Sequence, residues 1–74
     1  MQPNIEKIVW RGPKGEVIAC TEKNKVMREN LEELRQMAQD ALEDAVLMGC
    51  DEEQVRNALA ELMLGLINPY PPRE

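Results

Sequence analysis

The chain has no histidine, no serine and no phenylalanine, and its 74 residues hold just two aromatic side chains, Trp10 and Tyr70, and two cysteines, Cys20 and Cys50. Each absence removes a class of function. Acyl-transfer chemistry needs a nucleophile with a base beside it, and here the hydroxyl–imidazole pair cannot exist and neither thiol has an evident base. The chain therefore reads as non-enzymatic, with no catalytic residue and no cofactor motif. Two cysteines without histidine cannot complete a four-ligand zinc site, so no metal is expected. No apolar run approaches the ~20 residues a membrane span requires, and no basic-then-apolar leader opens the chain. A cytoplasmic protein with reduced thiols is the expectation, without membrane contact.

Size sets the next constraint. A chain this short buries only roughly 60% of its unfolded surface, so a lone core supplies a few kcal/mol at best. Disulfides, metals and association are the usual remedies. A helix running from about Lys25 to Met48 would put its ends roughly 36 Å apart, which a disulfide between Cys20 and Cys50, with its Cα limit of ~7 Å, would contradict. Association is what remains: a homodimer, another protein, or both.

The most informative stretch is Leu47-Met48-Gly49-Cys50-Asp51-Glu52-Glu53-Gln54. A glycine just past an apolar-periodic run is the usual left-handed helix terminator, and Asp51 with Gln54 three positions on has the spacing of a capping box. Two helices should meet there at a sharp corner. Met27, Leu31, Leu34, Ala38, Ala41, Ala45 and Met48 alternate spacings of four and three in the first helix, a heptad seam that Met37, Leu42, Val46 and Leu47 widen. The second helix, from about Glu52 to Ile67, offers Val55, Ala58, Leu59, Leu62, Met63, Leu66 and Ile67 and should fold back antiparallel on the first. Being shorter, it leaves the turns around Met27, Leu31 and Leu34 to be covered by something else.

Upstream, Ile5–Arg11 and Glu16–Cys20 are rich in strand-forming residues around the turn-like block Gly12-Pro13-Lys14-Gly15, which predicts a β-hairpin with Arg11 opposite Glu16. A bulge at Gly15 would shift that register by one residue. In the unshifted register Ile8, Trp10, Val17 and Ala19 share one face, and Val9, Ile18 and Cys20 the other. Thr21 or Asn24 could cap the first helix. At the far end Pro69 cannot continue a helix, leaving residues 69–74 as a flexible tail. The fold expected is α+β: one small ββαα domain over residues 1–68, plus the tail.

Charge is unevenly divided, with a balance of +3 over residues 1–28 and −8 over residues 29–74. The basic hairpin residues Lys7, Arg11 and Lys14, with Trp10 beside them, could contact nucleic acid, although the overall acidity would repel a phosphate backbone. A lone Trp in a chain without Phe more often anchors a core. Asp40, Glu43, Asp44, Asp51, Glu52 and Glu53 lack the glycine and alternating ligands of a calcium loop; they read as a solvated surface suited to a basic partner. Cys50 reads as a small hydrophobe filling the corner rather than a reactive thiol.

Met48-Gly49-Cys50 with Asp51-Glu52-Glu53-Gln54-Val55 and Asn57-Ala58-Leu59 resembles the first loop and second helix of ubiquitin-associated domains, over about a sixth of the chain. The resemblance implies a three-helix module binding ubiquitin, with Met48, Gly49 and Cys50 in the binding loop. Cys50 stands where that family has an aromatic residue, and its third helix has no counterpart before Pro69.

The reading that accounts for most residues is an acidic protein-interaction or regulatory module, an adaptor or chaperone-like dimer. Met27, Leu31 and Leu34 on the helix and Val9 and Ile18 on the hairpin are its candidate contacts. Nucleic-acid binding through Lys7, Trp10, Arg11 and Lys14 is the alternative.

Overall fold

The computed structural model describes residues 4–72 and resolves the chain into two compact units, residues 1–35 and 36–74. Its regular elements are a short 3-10 turn, Ile5–Lys7, and two helices, α1 (Thr21–Leu47) and α2 (Glu52–Leu64). The expected β-hairpin is absent: among the described residues there is no strand, only one isolated antiparallel bridge between Arg11 and Val17. The fold is a two-helix hairpin with an irregular N-terminal segment, not an α+β domain.

The reasons are local. The 3-10 turn consumes the first residues of the expected strand, with Asn4 Oδ1 accepting from the Glu6 amide at 3.0 Å and Lys7 N–H donating to Asn4 O at 3.1 Å. At the other end α1 begins at Thr21 instead of Lys25, its first ladder bond running from Asn24 N–H to Cys20 O at 3.0 Å. Too few residues remain on either side of the bridge to extend a ladder.

The bridge is also shifted by one residue from an Arg11–Glu16 pairing. Gly12 N–H donates to Glu16 O at 2.8 Å and Ile18 N–H to Trp10 O at 2.9 Å, so Trp10 now faces Ile18. Gly15 at φ 83° makes the turn possible. Since strand side chains alternate, the slip puts Ile18 on the Trp10 side and leaves Val9 and Val17 exposed. Asn24 ties this segment to α1: its side-chain amide donates to Ile18 O at 3.1 Å. Ile5 is the sole buried hydrophobic residue among those described.

In the second unit the corner forms as its sequence implies. Gly49 N–H donates to Val46 O at 3.0 Å and Cys50 N–H to Ala45 O at 2.9 Å, the paired bonds of a Schellman turn, with Gly49 at φ 96°. Asp51 caps α2, its Oδ2 accepting from Gln54 N–H at 2.9 Å. Cys50, however, is exposed and does not plug the corner. The second helix stops at Leu64, short of Ile67, with Gly65 closing it through a bond to Glu61 O at 2.9 Å. Beyond it Tyr70 N–H donates to Asn68 Oδ1 at 3.0 Å. Arg73 and Glu74 of the expected tail lie outside the described residues.

Candidate functional site

The side chains α2 turns inward are Val55, Leu59 and Met63, each partly buried and one helical turn apart. The apolar ones of α1 within the same unit are Ala38, Leu42 and Ala45, beside the partly buried Gln39. The alanines let the two helices approach closely, but neither α1 nor α2 contains a buried residue. Much of the apolar stripe on both helices faces outward: Met37 is 70% exposed, Met48 77%, Leu62 60% and Leu64 86%. This outward apolar surface, not a cleft with converging polar groups, is the most conspicuous chemical feature of the second unit.

On one side of the helix pair, close to the corner, Leu42, Val46, Glu52 and Arg56 line a shallow depression of 310 Å³. Arg56 Nε is bonded to Glu52 Oε2 at 2.9 Å, so this side carries its own ion pair. Along α1 the carboxylates of Asp40 and Glu43 accept at 2.9 Å from the amides of Gln36 and Gln39 one turn earlier, bonds that leave their negative charge uncompensated.

The first unit holds two hollows, one apolar and one mixed, that share Trp10, Ile18 and Asn24. One, of 450 Å³, is bounded by Arg11, Glu22, Lys23, Val26 and Met27. The other, of 320 Å³, runs from Ile5 past Val9 and Val17 to Arg28. Trp10 is partly buried and serves as their shared wall.

Of the contacts suggested by sequence, Ile18, Met27 and Leu31 are partly buried, whereas Leu34 is 39% and Val9 58% exposed. The basic residues are engaged locally or dispersed. Arg11 Nη1 donates to Gly15 O at 3.0 Å, Lys7 ends the 3-10 turn, and Lys14 meets Glu16 Oε1 at 2.9 Å through its backbone N–H, not its ammonium group.

Sequence reasoning passed over Cys20. It sits immediately before α1, where hydrogen bonding from the Lys23 backbone amide holds the thiol below its ordinary value of 9.0. Desolvation opposes that shift, while the Glu22 amide and the Lys23 charge reinforce it. A cysteine before a helix start is the legible signal, obscured here because Thr21 and Asn24 are the more usual caps. Neither takes that role; Thr21 is already helical.

Among the described residues no group of three or more His, Cys, Asp or Glu side chains is arranged to hold a metal ion, and no helix is long and apolar enough to cross a membrane. No protein-family model matches the chain, and neither the curated proteins nor the solved structures contain a significant match.

Proposed function

We propose that the chain is a non-enzymatic protein-interaction module, an acidic adaptor that pairs with a second copy of itself and presents apolar helical surface to another protein. The observation that carries this reading is the absence of any buried residue from either helix, although both have apolar stripes. Ile8, Val9 and Val17, exposed at 40%, 58% and 54%, supply apolar surface for self-pairing in the first unit, where charge of both signs is present. Two unpaired thiols suit a reducing compartment such as the cytoplasm.

Light scattering across a concentration series, with reductant present, tests the self-pairing. The expected result is a dimer that Val9→Glu converts to a monomer without loss of helical signal, since that side chain is exposed in the single chain. A monomer at every concentration, with an unfolding midpoint independent of concentration, would overturn the reading.

A further inference from the structure

The two sides of the helix pair are not alike. Each residue advances an α-helix by about 100°, so positions can be placed around the inward-facing stripes. On α1 the inward stripe is Ala38, Leu42 and Ala45; on α2 it is Val55, Leu59 and Met63. The shallow depression beside the corner collects Val46 from α1 and Glu52 and Arg56 from α2, which marks the direction of rotation leading to that side from each helix. Rotating the opposite way brings Met37 and Ala41 to the surface on α1, with Met48 in the turn that continues it through its bond to Asp44 O, and Ala58 and Leu62 on α2. These five residues therefore lie together on the other side of the pair.

All five are exposed, three of them large: Met37 at 70%, Met48 at 77% and Leu62 at 60%. Ala41 and Ala58 stand at nearly equal sequence distance from the Gly49 corner, hence at about the same level in an antiparallel pair. They form the floor of an apolar strip, with Met37 and Leu62 towards one end and Met48 towards the corner. A small-residue floor between flexible methionines admits a helix at close range and adapts to its side chains.

What lies beside the strip selects the occupant. The next positions round α1 are Asp44 and Asp40, so carboxylates run along that long edge; round α2 the next is the uncharged Gln54, with Glu61 one step further. Between Gln36 and Pro72 the sequence has seven acidic residues and a single cation, Arg56. That cation is paired with Glu52 on the opposite side of the helix pair. A second copy laid face to face would set Asp40, Asp44 and Glu61 against like charges with no cation between them. A helix with lysine or arginine flanking an apolar stripe would match both features.

We propose that this face of the helix pair docks a basic amphipathic helix of another protein. The proposal rests on the chain being a protein-interaction module and names the chemistry of its second partner.

The probe is a synthetic leucine/lysine peptide of amphipathic helical pattern, titrated into the full chain by calorimetry and by methyl NMR. Two controls accompany it: a scrambled peptide of equal composition, and one with glutamate in place of lysine. The expected result is saturable binding of the first peptide alone, with shifts at the Met37, Met48 and Leu62 methyls. Leu62→Lys should weaken it about tenfold or more, and Asp44→Lys by less, both variants keeping the wild-type helical signal; added salt should weaken it too. Equal binding of the scrambled peptide, shifts confined to the first unit, or no binding would overturn the proposal. So would a dimer that Leu62→Lys dissociates, because the face would then belong to a second copy. If the peptide fails while the chain remains a dimer sensitive to Val9→Glu, this inference falls and the interaction-module reading stands.

Discussion

The side-chain amide of Asn24, in the first turn of α1, donates to the Ile18 carbonyl at 3.1 Å. This bond satisfies a backbone acceptor that would have belonged to a ladder had the hairpin formed, and it holds the irregular segment on the helix start. A residue expected to cap the helix serves to anchor the chain before it.

Asn24→Ala removes that donor and leaves the partly buried acceptor unpaired, at a cost of about 1 kcal/mol. Urea unfolding should show the loss, and amide exchange should quicken at Ile18 and Gly12, whose bonds to Trp10 and Glu16 define the bridge region. Unchanged exchange at both amides would show that the segment is held by apolar packing alone.

The corner separates two kinds of substitution. Gly49 adopts φ 96° with open space around it, so Gly49→Ala should cost about 1 kcal/mol through backbone strain alone, and Gly49→Asn less. Asp51→Ala removes the cap on Gln54 N–H and should likewise cost about 1 kcal/mol. Urea unfolding of each variant beside the wild type measures both losses; a midpoint unchanged by Asp51→Ala would show that the Gln54 amide is satisfied without the cap.

Folding should make Cys20 easier to ionise, because the Lys23 amide is available to the thiolate only when α1 is formed. In a Cys50→Ser variant, the midpoint of the alkylation rate against pH should therefore lie lower in the folded chain than in urea. A depressed folded value means that this group's contribution is present above the unfolded thiol value and is lost as pH falls through the folded one. Equal midpoints in both states would refute the helix-start effect.

Much of the second unit is legible in the sequence because it rests on short-range requirements. Gly49 is needed where φ must be positive, Asp51 where an orphan amide needs an acceptor, and Val55, Leu59 and Met63 recur at the helical period. The end of α2 is less legible. The apolar pattern continues through Leu66 and Ile67, but Gly65 and the approaching Pro69 end the helix sooner. The hairpin reading fails for a related reason: strand propensity in Ile5–Arg11 and Glu16–Cys20 competes with an Asn4-capped turn on one side and an early α1 start on the other. Nothing in alternation alone reveals which wins.

The candidate surface divides in the same way. The apolar stripe and the acidic edge can be read from residue order, because helix periodicity fixes which side chains share a face. Which half of the stripe α2 covers, and which half stays open between Asp44 and Glu61, is set by the rotation of each helix about its axis at the corner. Sequence thus determined the two helices, the corner that joins them and the charge division, all consequences of residue order over a few neighbours, but not where α1 starts or α2 stops. Tertiary structure alone decided between the two registers that Gly15 allows, that Cys50 faces solvent and that Met37, Ala41, Met48, Ala58 and Leu62 lie on one open side, since these depend on how separate segments pack.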